Sequence, residues 1–125
     1  MGLTKMPWNQ VRLFGFLVSL LLISGCQSHG IEVEVSNQSG SDIKDVTLAF
    51  TGGSEILPLV RDGSTESMLI EPTGESSLTI SFTDSAGNTI SKQADIYLEP
   101  GYQGTISVTV RPADQIDVQS NVSVY

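Results

Sequence analysis

Apolar and polar residues alternate with a period of two through most of the chain after its first quarter. The clearest case is residues 76–83, where leucine, isoleucine and phenylalanine alternate with serine and threonine. Residues 31–35 and 105–110 repeat the pattern. Residues 89–98 follow it except at Lys92, which predicts either one long strand or two strands joined at a kink. This alternation is typical of strands with one buried face.

Three segments depart from simple alternation. In residues 43–50, Ile43 is out of phase with the later apolar positions, which predicts a β-bulge or an approaching loop. Residues 56–60 contain Pro58, which cannot donate a hydrogen bond to a ladder, so this run is either an edge strand or no strand. Residues 113–125 alternate weakly, and both an extra strand and a loose tail fit them.

Turn-forming residues separate these runs at 37–42, 84–88 and 100–104. No helical stripe occurs after Ile23. About seven short strands at intervals near ten residues predict an all-β fold, an antiparallel β-sandwich of immunoglobulin-like size. The chain has no cysteine pair, and its single tryptophan is Trp8. The strand order is therefore not predicted.

The first 25 residues have a different character. Lys5 and Arg12 precede residues 13–23, an apolar run without charge. As a helix this run would rise about 16 Å, whereas a membrane-spanning helix must cross about 30 Å of hydrocarbon. The pattern therefore favours a cleaved export signal over a transmembrane helix.

The sequence Ile23-Ser24-Gly25-Cys26 follows the apolar run. It resembles the lipobox of bacterial lipoproteins, in which an aliphatic residue and two small residues precede a modified cysteine. The resemblance implies a diacylglyceryl group on the Cys26 sulfur, cleavage between Gly25 and Cys26, and acylation of the new amine. Cys26 is the only cysteine, so no disulfide within the chain is expected. An ordinary secretory signal with an incidental thiol is the alternative.

These features predict four segments along the chain. They are a cleaved signal at 1–25, a lipidated tether at 26–30, a β-sandwich domain at 31–112, and a tail or extra strand at 113–125. The tether reaches only about 15 Å, so the domain is expected to work close to its membrane. Gln27 rather than aspartate follows the cysteine. In a Gram-negative host the lipoprotein resemblance then implies the outer membrane, with the domain on its periplasmic face.

Residues 74–80 and 95–102 resemble runs found in small bacterial lipoproteins and secreted β-domains. These runs read Gly-Glu-Ser-Ser-Leu-Thr-Ile and Asp-Ile-Tyr-Leu-Glu-Pro-Gly-Tyr. The resemblance implies the β-fold and implies no activity.

Removal of the signal leaves four lysines and arginines against all 14 acidic residues, a formal charge of −10. Nucleic-acid binding needs clustered cations, because neutralised phosphates supply most of the affinity. Because the four cations are scattered along the chain, nucleic acid is not an expected partner. They also argue against electrostatic adhesion to anionic lipids. Contact with the membrane is expected from the lipid anchor alone.

Candidate catalytic and metal-binding residues are few. His29 is the only histidine and lies in the tether, so neither Ser–His catalysis nor a zinc site is expected. Asp42 and Asp45, and Asp84 with Asn88, are candidate calcium ligands or catalytic carboxylates. None of them has an established calcium-loop spacing, and turn formation is the preferred interpretation of all four.

Two tyrosines are candidates for contact with a partner. Tyr97 has the outward parity of its strand, and an exposed tyrosine can anchor a protein partner. Tyr102 lies in a Pro-Gly-Tyr-Gln-Gly turn and is predicted to pack on its own domain.

The sequence therefore predicts a non-catalytic, membrane-anchored envelope lipoprotein. Its acidic β-domain is expected to bind a protein or cell-wall partner near the outer membrane. No catalytic residue, metal ligand or dissociable cofactor is predicted, and the covalent lipid on Cys26 is the only group expected. A carboxylate-dependent hydrolase of envelope glycans and a purely structural lipoprotein are the alternatives. The oligomeric state is left open.

Overall fold

The computed structural model describes residues 30–124, which form eight strands and one 3-10 turn. The strands are β1 (Ile31–Asn37), β2 (Ile43–Phe50), β3 (Gly53–Val60), β4 (Thr65–Ile70), β5 (Ser76–Thr83), β6 (Thr89–Leu98), β7 (Gln103–Arg111) and β8 (Gln115–Ser123). The 3-10 turn, Pro112–Asp114, joins the last two strands. The all-β prediction is confirmed.

The strands form two four-stranded sheets. Sheet A has the order β4-β1-β7-β8, and sheet B has the order β3-β2-β5-β6. Every pair is antiparallel except β1 with β7, which is parallel. The long stretch of chain between β1 and β7 includes all of sheet B, so no hairpin dictates their relative direction. The predicted sandwich is confirmed, with this parallel pair inside it.

One hydrophobic core lies between the two sheets. It is built from the inward positions of the alternating runs, and these side chains are at most 5% exposed. Phe82 is the largest of the fully buried side chains. Burying an aliphatic or phenyl side chain of this size contributes about 1.5–3 kcal/mol. The period-two pattern thus identified the buried face of each central strand.

In each irregular segment the structure shows one of the two alternatives that the sequence left open. The β2–β5 register shifts between Lys44 and Thr47, and Asp45 has a φ of 50°, so a bulge turns Ile43 into the core. Pro58 lies in β3, which is an edge strand. Residues 89–98 form the single strand β6, whose kink is a register shift opposite Ser77. Residues 115–123 form β8 at the edge of sheet A.

The two ends of the sandwich carry different loops. Ile31 pairs with Ile70 in β4 and with Gly104 in β7, so loops 71–75 and 99–102 lie beside Gly30. The β2–β3 turn joins them, because the Thr73 amide donates a 3.0 Å hydrogen bond to the Thr51 carbonyl. We call this the Gly30 end. The opposite end, called the far end, consists of residues 38–42, 61–64, 84–88 and 112–114.

Candidate functional site

The predicted lipidation and cleavage residues, Gly25 and Cys26, lie outside the described residues, as does His29. The first described residue, Gly30, lies directly before β1, at the position where the predicted tether would join the sandwich. Its backbone packs closely, since a Cβ added there would lie 3.0 Å from the Glu71 Cγ and from the Ile70 carbonyl oxygen. Within residues 30–124, no helix is long and apolar enough to cross a membrane.

A cavity of about 180 Å³ opens at the Gly30 end. Its lining includes Gly30, Glu71, Pro72 and Tyr102. Tyr102 is half-buried and packs against the core, which confirms the prediction that it folds back on its own domain. The loops of this end contain three glutamates and no lysine or arginine. The charged side chains in the described loops of the Gly30 end are therefore all acidic.

Tyr97 is 54% exposed on β6, near the Gly30 end, so its predicted outward orientation is confirmed. Its hydroxyl donates a 2.5 Å hydrogen bond to the Glu99 carboxylate. That bond, with partial desolvation and the nearby Glu75 carboxylate, raises the pKa of Tyr97 well above its usual value. The ring is held at a defined position while its surface stays open to solvent.

A hydrogen-bond network at the far end centres on Asn37, which is fully buried. Its side-chain amide nitrogen donates to the carbonyls of Ser41 at 2.7 Å and Val60 at 2.9 Å. Its side-chain oxygen accepts from the Ser39 amide and hydroxyl at 3.0 and 2.7 Å. The sequence placed Asn37 in a turn and gave no sign of this burial.

Two of the three candidate calcium carboxylates, Asp42 and Asp84, accept hydrogen bonds from backbone amides. Asp42 accepts a 2.9 Å hydrogen bond from the Asp62 amide. Asp84 accepts from the amides of Ala86 and Asn88 at 3.0 and 2.8 Å. In residues 30–124, no three acidic, histidine or cysteine side chains are grouped so that they could hold a metal ion. The turn-forming interpretation accounts for Asp42 and Asp84.

Asp84 also faces Asp114, and both line a far-end cavity of about 240 Å³ together with Ser39 and Ser41. The hydrogen bond from Asn88 holds the pKa of Asp84 below its usual value. The pKa of Asp114 is raised, mainly by desolvation of its carboxyl group. The hydrogen bond to Asp84 and the negative charge of Asp84 raise it further. Asp114 was assigned to the tail, and only the path of the chain into β8 brings it to Asp84.

A wider groove of about 360 Å³ runs between the edge strands β6 and β8. Lys92 crosses it, donating a 2.7 Å hydrogen bond from Nζ to the Ile116 carbonyl. Arg111 and Asp117 form an exposed ion pair near one end of it. The polar residue that interrupted the β6 pattern thus joins sheet B to sheet A.

The outer faces of the two sheets carry different side chains. Residues paired directly across antiparallel or parallel strands share a face, so the registers define rows across each sheet. On sheet A the outward rows are Leu69-Glu32-Thr105-Asn121, Ser67-Glu34-Ser107-Gln119 and Thr65-Ser36-Thr109-Asp117. On sheet B they are Ser54-Ala49-Thr79-Gln93, Ile56-Thr47-Ser81-Ser91 and Leu59-Lys44-Thr83-Thr89. Glu32, Glu34 and Asp117 lie in the first set of rows and Lys44 in the second. The outer face of sheet B also carries two exposed acids outside these rows, Asp45 at the bulge of β2 and Asp95 beside Gln93.

We call the outer surface of sheet B the hydroxyl face, after the serines and threonines that fill its rows. Gln93 donates a 3.0 Å hydrogen bond from Nε2 to the Ser77 hydroxyl there. A depression of about 270 Å³ lies beside them, lined by Ala49, Phe50, Thr51, Ser76, Ser77 and Thr79. Tyr97 borders the face, one residue before the Leu98–Ser76 pair.

Comparison with known proteins identifies the fold and not a family. No family model matches the chain. No curated protein matches its sequence either. A solved structure described as the NMR structure of the protein from Eubacterium rectale is similar in fold, with a TM-score of 0.54 and 9% sequence identity. The similarity covers 75% of this chain and 92% of that chain. At this identity it bears on the fold alone.

Proposed function

We propose that this protein is a lipid-anchored, non-catalytic binding protein of the bacterial envelope. Its acidic β-domain binds a protein or cell-wall partner close to the outer membrane. The proposal joins the lipobox-like sequence at Cys26 to one observation, which is the position of Gly30 at a single end of the sandwich.

Gly30 lies four residues after Cys26, so the Gly30 end stays within about 15 Å of the anchored sulfur. Strand β1 leads directly away from it and spans about 23 Å over its seven residues. An anchored domain therefore holds its Gly30 end toward the bilayer and its far end away from it. The outer faces of the two sheets then point sideways, neither toward the bilayer nor away from it.

The charges of the Gly30 end supply no attraction to the bilayer. The Gly30-end loops contain Glu71, Glu75 and Glu99 without a cation, and anionic lipid head groups repel such a surface. The acyl chains must then supply the whole attachment, at about 0.8 kcal/mol per buried methylene. The surfaces free to meet a partner are the far end and the two outer faces.

Intact-mass analysis of membrane fractions tests the anchor. The wild-type protein should begin at Cys26 and carry a diacylglyceryl and an acyl group, and Cys26→Ala should lack the lipid and leave the membrane fraction. Ser28→Ala, in the same tether, serves as the matched control and should remain lipidated. A wild-type protein recovered in soluble form with a free thiol would refute the proposal.

Photo-crosslinking in intact cells tests the binding role. A crosslinking residue at exposed Ser85 samples the far end, and one at exposed Thr73 samples the Gly30 end. The orientation above predicts partner adducts from position 85 and lipid adducts from position 73. Equal recovery of abundant envelope proteins from both positions would contradict a specific partner at the far end.

A carboxylate-dependent hydrolase is the second candidate, because Asp84 and Asp114 line one cavity and their pKa values are moved in opposite directions. Such separation is common in acid–base pairs. Release of reducing ends from purified cell-wall glycan, lost in Asp84→Asn and in Asp114→Asn, would favour it. Absence of turnover by the wild-type protein would leave the binding role.

A further inference from the structure

Strand β8 is an edge strand of sheet A, and its free side lies along the groove between β6 and β8. The Val110 carbonyl of β7 accepts a 2.7 Å hydrogen bond from the Gln38 amide, directly after β1, so it points toward β1. The amide and carbonyl of one residue point to the same side of a strand, so Val110 and its β8 partner Ile116 form a non-hydrogen-bonded pair. The amide and carbonyl of Ile116 therefore point away from β7.

The same alternation holds along β8, because its register with β7 has no shift. Val118, Ser120 and Val122 thus direct their amides and carbonyls outward, whereas Gln119 and Asn121 bond to β7. The outward carbonyl of the preceding pair, Ile116, is already occupied by Lys92 Nζ at 2.7 Å. Within residues 30–124, no strand pairs with this side of β8. Residues 118–122 therefore offer an open ladder.

The other three edge strands are protected against pairing. Natural edge strands avoid adding a further strand through prolines, charged side chains or short length. Strand β3 contains Pro58, β6 contains Lys92 and Asp95, and β4 has only six residues. Residues 118–122 contain no charge and no proline. This half of β8 therefore lacks the usual protection.

The side chains beside the open ladder are partly uncovered on their inner side. Val118 and Val122 share the inward parity of the core residues, yet both are only half-buried. Ser120 has the same parity and is exposed. Ile90, which lines the groove from β6, is also half-buried. A strand added to β8 places every second side chain against these valines, so apolar residues at alternate positions fit the edge.

The charges around the edge favour a segment with basic residues at its ends. Asp114 and Asp117 line the groove. Both nearby cations are already bonded, Lys92 to a backbone carbonyl and Arg111 to Asp117. Asp114 faces a second carboxylate, that of Asp84. Because the mature chain has a formal charge of −10, lysine or arginine beside the added strand gives charge complementarity.

We propose that residues 118–122 bind an extended segment of a partner protein, with alternating apolar residues and basic flanks, which joins sheet A as a fifth, antiparallel strand. This inference rests on the proposed function, since it makes the partner a protein and assigns it to one edge of the domain. A second copy of this chain fits less well. Antiparallel pairing of two β8 edges about a twofold axis puts the two Gly30 ends at opposite ends of the pair, so only one of them lies toward the bilayer.

Titration of the full-length protein in detergent micelles with the peptide acetyl-Lys-Thr-Val-Thr-Val-Thr-Val-Lys-amide tests this, and we expect a Kd below about 1 mM. Binding should slow hydrogen exchange at the amides of Val118, Ser120 and Val122, which gain a partner. Exchange at Gln119 and Asn121 should not change, because their amides already bond to β7. A control peptide with proline in place of the middle valine has the same charge and lacks a ladder amide, so it should bind at least about tenfold more weakly.

Ser120→Pro removes an outward amide, which an edge strand tolerates, and it should raise Kd by about tenfold or more. Ser120→Ala keeps the amide and should stay within about twofold of wild type. If Ser120→Pro does not fold, the exchange pattern of the wild-type protein still decides the question.

The inference fails if no saturable binding occurs up to about 10 mM peptide. It fails if the two peptides bind equally, which indicates attraction between charges alone, or if exchange slows without the alternation along β8. Protection of the outward amides that rises with protein concentration before peptide is added would identify a second copy as the occupant and would also overturn it. The intact mass of the same preparation reports the anchor separately, so failure here is distinguishable from failure of the proposed function.

Discussion

The side-chain amide of Asn37 donates a 2.9 Å hydrogen bond to the carbonyl of Val60, and this bond joins β1 of sheet A to β3 of sheet B. The chain has a single cysteine and so no internal disulfide to hold its sheets together. All buried side-chain nitrogen and oxygen atoms in residues 30–124 have hydrogen-bond partners. Asn37 is one of these residues, and both its side-chain nitrogen and its side-chain oxygen are hydrogen-bonded at the far end.

Replacing Asn37 with alanine should lower the free energy of unfolding by about 3 kcal/mol, because the carbonyls of Ser41 and Val60 lose their buried donor. Urea unfolding followed by circular dichroism measures the change. Gln119→Ala, at an exposed position of β8, should stay within about 0.5 kcal/mol of wild type. A loss for Asn37→Ala no larger than that of the control would show that the network is not stabilising.

Replacing Lys92 with methionine should lower the free energy of unfolding by about 1 kcal/mol, since the aliphatic stem is kept while the bond from Nζ to the Ile116 carbonyl is lost. Hydrogen exchange of β6 and β8 amides should rise more than that of β1 or β5. Lys44→Met, on the outer face of sheet B, is the control for removal of a positive charge. Equal destabilisation by both variants would assign the effect to charge alone.

Replacing Gly104 with alanine should be strongly destabilising, by about 3 kcal/mol or more. Gly104 has a φ of 133°, and a Cβ there would lie 2.2 Å from the Asn121 carbonyl oxygen in β8. Gly87 has a φ of 86° and open space around it, so Gly87→Ala carries the backbone penalty of about 1 kcal/mol without the collision. Thermal unfolding of the two variants separates the cost of the backbone conformation from the cost of the collision with β8. Similar melting temperatures would mean that β8 moves aside at little cost.

The Asp84–Asp114 pair predicts a dependence of stability on pH. The pKa of Asp84 in the folded protein lies below its ordinary value of 3.8, so its stabilising contribution is present above pH 3.8 and is lost as pH falls through the folded value. The pKa of Asp114 lies above 3.8, so ionising Asp114 costs stability at neutral pH, and this cost disappears as pH falls through its folded pKa.

Asp114→Asn should therefore raise the melting temperature at pH 7, and the gain should shrink as pH falls toward 3.8. Asparagine also tolerates the positive φ of 58° at this position. Glu66→Gln, at an exposed position of β4, is the control for removal of one negative charge. A gain at pH 7 that is the same for both variants, or that does not change with pH, would contradict the role of the pair.

Local sequence pattern was enough to predict most of the strands, although it left residues 56–60 and 113–125 undecided between strand and no strand. Alternation at 76–83 identified the buried face of β5. Pro58 limited its run to an edge strand or no strand, and the phase of Ile43 predicted a bulge or an approaching loop; the structure shows the edge strand and the bulge. Each of these properties depends on neighbours along the chain. Backbone pleating fixes which side chains share a face, and proline lacks a donor wherever it stands.

The sequence by itself determined the all-β class, the turns, and the outward position of Tyr97. Only the tertiary structure decided the parallel pairing of β1 with β7, the burial of Asn37 and the approach of Asp114 to Asp84. The rows of the hydroxyl face also belong to this second group, because they depend on the register between strands far apart in the chain. The period-two pattern determines which face of its strand a residue occupies, but it does not determine which strand lies beside it.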